Sequence, residues 1–227
     1  MTDDDQSANS PAADRYAIIV AGGSGSRMKS DIPKQFLLLR GKPILQHTLE
    51  RFLDVLPASQ IFLVLPATDR ITWLNLCEQH QFSPSIALVD GGGTRFQSVR
   101  NGLSAIPMTE GLVAVHDGVR PFVSAEIIQN SFDTAARMGS AVTCVPVKDS
   151  VRVVHADGRS QAVNRSQYRL VQTPQTFQLN LFRQAFTAEE QPFFTDCASV
   201  MEFAGFPITL IDGSYENIKI TTPEDLK

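Results

Sequence analysis

The sequence predicts an α/β fold built on a doubly wound, mainly parallel sheet. Short continuous apolar runs of strand length recur along the chain and end in glycine-rich loops, the pattern of strands buried on both faces. Segments with apolar residues at helical spacing separate them. The 227 residues also suffice for one large α/β domain whose core needs no disulfide or metal. Such alternation implies right-handed crossovers, with ligands gathered at the carboxyl ends of the strands.

Residues 1–14 (MTDDDQSANSPAAD) are polar and acidic and read as a disordered tail. One domain then spans 15–227. RYAIIVA is a first buried strand, running into GGSGS. Ile44, Leu45, Thr48, Leu49, Phe52, Leu53 and Leu56 repeat at helical spacing. QIFLVLP is a strand, residues 69–80 a helix, and SIALVD a strand opening into GGG. Phe96, Val99, Leu103 and Ile106 share one helix face. GLVAVHD is the next strand. Ser124 caps a helix reaching about Met138, and AVTCVPV is a strand again. After Val147 the alternation breaks. VRVVHADGRS resembles a hairpin arm with an Asp-Gly turn, and residues 161–177 read as polar and irregular. Helices follow at 178–186 and 195–204, with Thr195 at the N-cap. PITLID is a last strand. Thr222, Pro223 and Asp225 fit the N-cap, N1 and N3 of a short final helix.

Composition narrows the function. Apolar residues make up 43% and charged residues 19%, as in an ordinary globular protein. The net charge of −4 resides in the tail; the rest balances 20 acids against 20 Lys and Arg. That argues against non-specific nucleic-acid binding and a polybasic membrane anchor. No apolar run is long enough to span a bilayer, and the acidic N-terminus is no secretory signal. Cys77, Cys144 and Cys197 form no CxxC or Cys/His spacing. Three such thiols fit a reducing, cytoplasmic setting.

Four constellations, each after a strand, could carry chemistry. Ala21-Gly22-Gly23-Ser24-Gly25-Ser26-Arg27 is followed by Pro33-Lys34-Gln35. Backbone amides of such a loop, flanked by two cations, suit a triphosphate; the alternative is a tight turn with two solvated charges. Neither a Walker A loop nor a clean G-x-G-x-x-G is present. In His116-Asp117-Gly118-Val119-Arg120, the carboxylate at a strand end suits Mg2+, or else caps a turn and pairs with Arg120. Asp90-Gly91-Gly92-Gly93 leads to Ser98, whose hydroxyl and nearby amides could read a base edge. Tyr215-Glu216-Asn217-Ile218-Lys219 offers a second acid and a further cation, or an ordinary surface loop.

Taken together, the stretches AGGSGSRM, PKQF, DGGGTRFQSV, HDGVRPF, PVKDSVR, QTPQTF, TDCASVMEFAG and ENIKITTPEDL closely resemble the 2-C-methyl-D-erythritol 4-phosphate cytidylyltransferase family, of the nucleotide-diphospho-sugar-transferase-like fold. The resemblance covers about residues 15–227. It implies a Rossmann-like nucleotidyltransferase that couples CTP to a sugar-alcohol phosphate and releases pyrophosphate. It implies that Arg27, Lys34 and Lys219 are catalytic cations. It places Ala21, Gly22, Gly23, Gly92, Gly93 and Ser98 around CTP. Arg120, Ser150, Arg165, Thr173 and Thr195 fall on the methylerythritol phosphate, and Asp117 with Glu216 on Mg2+. The arm at about 147–170 matches one that embraces a second subunit, so a homodimer is expected. Ser150 stands where many members have Thr, Glu216 where many have Asp, and Cys197 where many have Glu. A ribitol-5-phosphate cytidylyltransferase shares most of these motifs. A non-catalytic nucleotide-binding module would have no reason to keep Lys34, Asp117 and Lys219. A Rossmann-type oxidoreductase would need an acid after the second strand, which instead ends in Leu65-Pro66.

Overall fold

A computed structural model of the chain describes residues 13–23 and 32–226. Its strands are β1 (Arg15–Val20), β2 (Leu38–Leu39), β3 (Lys42–Pro43), β4 (Ile61–Leu65), β5 (Ala87–Asp90), β6 (Leu112–Asp117), β7 (Ser140–Pro146), β8 (Arg152–Val154), β9 (Ser160–Ala162), β10 (Arg169–Gln178) and β11 (Leu210–Asp212). The helices are α1 (Ile44–Leu53), α2 (Arg70–Gln79), α3 (Arg95–Ala105), α4 (Ala125–Met138), α5 (Leu179–Ala185) and α6 (Cys197–Phe203). Seven strands form one sheet in the order β11-β7-β10-β6-β1-β4-β5. All are parallel except β10, which runs antiparallel between β6 and β7. Among the described residues no helix is long and apolar enough to cross a membrane.

Both sheet faces are covered. One core joins Ile18, Val64, Val113 and Val115 to α3, α5 and α6 through Val99, Phe182 and Met201. The other packs Ile19, Leu63 and Ala114 against Leu49 and Phe52 of α1 and Phe132 of α4. The expected alternation of buried strands and amphipathic helices is therefore present. Ser124 caps α4 as expected, accepting from the Ile127 amide, and Gly139 closes the helix in the left-handed conformation at φ 85°.

Two local readings are corrected. Residues 161–177 are not irregular: most of β10 lies there, in the middle of the sheet. Four of its six buried positions, Gln172, Thr173, Gln175 and Thr176, are polar, and their side chains are hydrogen-bonded to neighbours. Thr176 Oγ1 donates to Ser131 Oγ at 2.8 Å, and Gln172 Nε2 to the Ser214 carbonyl at 2.8 Å. Thr195 is not the cap of α6. Asp196 takes that place, in a capping box with Ser199. At the C-terminus the expected order holds around a 3-10 turn, Pro223–Leu226: Thr222 precedes it, Pro223 opens it, and the Asp225 carboxylate reaches back to accept from the Thr221 and Thr222 amides at 2.8 and 2.9 Å.

β8 and β9 pair only with each other, across the Asp157-Gly158 turn, and every residue of both is exposed. The tail expected at 1–14 lies outside the described residues, apart from 13 and 14.

Candidate active site

The chain visits β1, β4 and β5 on one side of β1 and then returns to β6 on the other. This reversal is the switch point at which an open α/β sheet binds ligands. Val20 at the end of β1 pairs in register with Asp117 at the end of β6, so the first glycine loop and the acid emerge side by side. The Ala21 amide donates to the Val64 carbonyl at 2.9 Å, while Gly22 and Gly23 are exposed. A Cβ on Gly118 would lie 2.8 Å from Ala21 Cβ, so only glycine lets the two loops approach this closely. Lys34 begins a single 3-10 turn, Lys34–Phe36. That turn is fixed by Gln35 Nε2 donating to Asp69 Oδ2 at 3.1 Å and by Phe36 stacked on Trp73 at 6.2 Å.

These pieces enclose a cleft of about 110 Å³ lined by Ala21, Gly22, Gly23, Lys34, Asp117 and Lys219, among others. Asp117 is its electrostatic centre. Lys219 Nζ and Arg120 Nε lie 3.1 and 3.2 Å from Oδ2, and Arg95 Nη2 lies 3.8 Å from Oδ1. Burial alone would push this carboxyl up, but Arg95, Lys219 and Arg120 reverse that and hold it well below the usual carboxylate range. Arg120 is anchored at its other end, Nη1 donating to the Asn217 carbonyl at 2.9 Å.

A second cleft, of about 280 Å³, opens on the far side of the same three charges. It shares Arg95, Asp117 and Lys219 with the first and adds Arg120, Thr173 and Thr195. Thr173 reaches it because the β10–β7 register shifts between Val171 and Gln175, a bulge that re-aims the strand. The carbonyls that the bulge frees from the ladder are satisfied by side chains: Thr143 Oγ1 donates to the Pro174 carbonyl at 2.6 Å and Asn217 Nδ2 to the Thr173 carbonyl at 2.8 Å.

A directed hydrogen-bond chain runs beneath. His116 Nε2 faces the Arg120 carbonyl at 3.2 Å, which only accepts, so this nitrogen carries the proton. Nδ1 then accepts from Thr173 Oγ1 at 3.0 Å. That hydroxyl accepts in turn from the Asp117 amide at 3.1 Å. Thr173 thus spends its proton on His116 and offers a ligand only an acceptor oxygen. His116 is fully buried, and burial brings its pKa down to about 4.

The other expected site residues are distributed as follows. Gly92 and Gly93 lie in the adjacent β5–α3 turn and Ser98 in the first turns of α3, and none of them lines the first cleft. Ser98 Oγ accepts from the Gly92 amide at 3.1 Å and donates to the Thr94 carbonyl at 2.9 Å, pinning that loop. Ser150 and Arg165 are exposed on the arm and line neither cleft; Arg165 donates to the Lys148 carbonyl. Glu216 is exposed beside Asn217 and also lines neither. Among the described residues no three His, Cys, Asp or Glu side chains come together as a metal cluster. Arg27 lies outside the described residues. Sequence reasoning missed Arg95, Gln35 and Asn217 as site residues. Arg95 had a signal, a cation opening a helix directly after a glycine loop.

A separate apolar cavity of about 320 Å³ between α1 and α2, lined by Leu49, Trp73, Cys77 and Phe82 among others, contains none of these groups. Burial pushes its Cys77 thiol up to about 11, too high for a reactive thiolate at neutral pH.

The family model described as 2-C-methyl-D-erythritol 4-phosphate cytidylyltransferase matches residues 16–227. A protein of that name from Bacteroides thetaiotaomicron is 51% identical over 210 residues, covering 92% of this chain and 95% of the relative. One from Porphyromonas gingivalis is 52% identical over 214 residues, covering 93% and 94%. Among solved structures, the 4-diphosphocytidyl-2C-methyl-D-erythritol synthase of Anaerococcus prevotii aligns with a TM-score of 0.78 at 31% identity, covering 93% of this chain and 94% of that one. The 2-C-methyl-D-erythritol 4-phosphate cytidylyltransferase of Thermus thermophilus aligns at 0.75 and 30%, covering 95% of both.

Proposed function

The chain belongs to the 2-C-methyl-D-erythritol 4-phosphate cytidylyltransferase family, and from that premise we propose which of its residues carry the reaction. The enzyme transfers CMP from CTP to 2-C-methyl-D-erythritol 4-phosphate, giving 4-diphosphocytidyl-2-C-methyl-D-erythritol and pyrophosphate for isoprenoid synthesis. The observation that carries our assignment is the row of charges Arg95, Asp117 and Lys219 shared by two clefts. CTP occupies the smaller, its phosphates over the amides of Gly22 and Gly23, while Ala21, whose amide is held by the Val64 carbonyl, lines the wall. The sugar phosphate occupies the larger, beside Arg120, Thr173 and Thr195.

A phosphate monoester has a second pKa of about 6 and is largely dianionic at neutral pH. Its oxygen attacks the α-phosphorus in line, a new P–O bond forms, and the bond to the β-phosphate oxygen breaks. No general base or protein nucleophile is required. Catalysis is positioning and charge stabilisation, supplied by Lys34 and Lys219, with Arg27 assigned by family resemblance. Gly92, Gly93 and Ser98 shape the loop that receives the cytosine. A single ionised carboxylate facing a triphosphate fits Mg2+, which takes one or two carboxylates together with phosphate oxygens and water. Asp117 would hold the ion, whose contribution when bound is to neutralise phosphate charge. Glu216 stays a candidate second ligand on its position in the family motif.

We assign Ser150 and Arg165 to a second subunit's site. The arm has no core of its own and exposes Val153, Val154 and Leu170, and an isolated two-stranded hairpin is marginal in water. Docking on a second copy would cover these side chains. The three cysteines are free, which suits a cytoplasmic enzyme. Pyrophosphate release from CTP with methylerythritol phosphate, against ribitol 5-phosphate, tests the reading. Turnover is expected with the first; turnover with the second alone would replace it by the ribitol enzyme.

A further inference from the structure

The wall between the two clefts contains a cation for which the residue assignments above leave no role. Arg95 opens α3 directly after its N-cap Thr94, and its side chain lines both clefts. Of the four cations around the reaction centre among the described residues, Arg120 is committed at both ends, to Asp117 and to the Asn217 carbonyl. Lys34 lines only the nucleotide cleft, and Lys219, which lines both, is paired with Asp117 at 3.1 Å. Arg95 is tied down only weakly. Its Nη1 lies 3.3 Å from Cys197 Sγ, and a thiol is a poor acceptor. Its Nη2 lies 3.8 Å from Asp117 Oδ1, beyond hydrogen-bond distance. A guanidinium has five N–H donors, so Arg95 faces the larger cleft with most of them unused by the described residues.

The charge balance agrees. Arg95, Arg120 and Lys219 surround Asp117, and the other carboxylate lining that cleft, Asp196, already caps α6 and accepts from Gln175 at 2.9 Å. The larger cleft therefore presents more positive than negative charge, and a planar fork suits a phosphate bidentately. We propose that Arg95 binds the phosphate of the acceptor and holds it against the α-phosphorus, a substrate-contacting role in this reaction. Arg120 then serves chiefly to position Asp117. The inference rests on the placement of the sugar phosphate in the larger cleft.

Arg95→Gln keeps a polar side chain of similar reach and removes the charge. Calorimetric titration of methylerythritol phosphate, with a non-hydrolysable CTP analogue bound, should show affinity about fiftyfold weaker than wild type, the scale of a lost charged hydrogen bond. Affinity for the CTP analogue should change by less than about threefold. Arg95→Lys, which keeps the charge but not the fork, should recover part of the acceptor affinity. Equal losses for both ligands would make Arg95 a structural support, and an unchanged acceptor affinity would remove it from the site; either overturns the proposal. If Arg95→Gln fails to fold by circular dichroism, Arg95→Lys decides alone, and wild-type acceptor affinity in it refutes the bidentate role. Should the wild type bind the sugar phosphate without releasing pyrophosphate, the functional reading fails while the binding role of Arg95 is still decided by the same titrations.

Discussion

His116 gives the clearest link between one buried group and the behaviour of the whole molecule. Its ring is wedged against Phe52, centroids 4.9 Å apart, and both nitrogens are engaged, with Nδ1 accepting from the Thr173 hydroxyl. Adding a proton at Nδ1 would set two donors against each other in a site without water contact. Burial, the largest influence, lowers the pKa from 6.5 to about 4; Asp117 and the hydrogen bond to the Arg120 carbonyl oppose this, while the charges of Arg120 and Lys219 add to it. The folded state thus refuses a proton that the unfolded state accepts. Stability is complete above about pH 6.5 and falls as the pH drops towards about 4, below which this group adds no further change. The change from 6.5 to about 4 corresponds to about 3 kcal/mol, a large fraction of the roughly 5–15 kcal/mol typical of a domain. Urea denaturation at several pH values measures it. His116→Gln should start less stable, by about 1–3 kcal/mol for imperfectly replaced hydrogen bonds, and lose much less between pH 6.5 and 4.5. The other depressed groups, such as Glu50 and Asp225, are carboxylates and weaken both proteins alike at the acid end. Parallel curves for the two proteins, or four histidines that all titrate near 6.5 by NMR, would refute the reasoning.

Three further outcomes are expected. Asp117→Asn should raise the Mg2+ needed for half-maximal rate by at least about tenfold, since a neutral amide is a poorer ligand for a hard cation; an unchanged titration would remove Asp117 from the metal. Gly102→Ala should cost about 1–2 kcal/mol in urea denaturation despite the better helix propensity, because the new Cβ would lie 2.7 Å from Ile18 Cγ2 and 3.0 Å from Val64 Cγ2; a stabilised variant would show that α3 can lift off the sheet. Lys34→Ala and Arg165→Ala should each be nearly inactive alone, yet after unfolding, equal mixing and refolding recover about a quarter of all sites, since about half of the twofold dimers are mixed and each holds one intact site. No recovery, with mixed dimers confirmed by tags, would mean that each subunit builds its site alone.

What could be read from the sequence follows a physical line. β1, β4, β6 and β7 are apolar because both of their faces are buried, so composition alone announces them. β10 is as central as they are, yet Gln172, Thr173, Gln175 and Thr176 make it look like a loop. Their burial is tolerable only because each polar group finds a partner, and partners 20 or more residues away leave no local pattern. Gln175 shows this: it donates to Asp196 and accepts from the amides of Cys197 and Ala198. The site was legible where residues follow strands directly, as Gly22, Gly23 and Asp117 do. It was not legible where a role depends on what else touches a side chain. Thr173 spends its hydroxyl proton on His116, and Arg95 becomes conspicuous only once Arg120 is seen to be committed elsewhere.

The reversed strand also explains why an arm grows from this part of the chain. β7 runs parallel to β11, and β10 lies antiparallel between β7 and β6. The connection from β7 to β10 therefore leaves and re-enters the sheet at the edge where β1 and β6 end, the edge that holds Gly22, Gly23 and Asp117. A parallel crossover would carry the chain to the opposite edge instead. Residues 147–168 consequently rise from the rim of the site itself. Ser150 leaves just after β7 and Arg165 returns just before β10, so both stand at the base of the hairpin near that rim, though neither lines its own chain's clefts. A twofold partner that covers the arm's exposed valines and leucine can meet these two residues with its own ligand edge. The single antiparallel strand thereby accounts for the polar wall of the larger cleft and for the place from which the proposed second subunit would reach it.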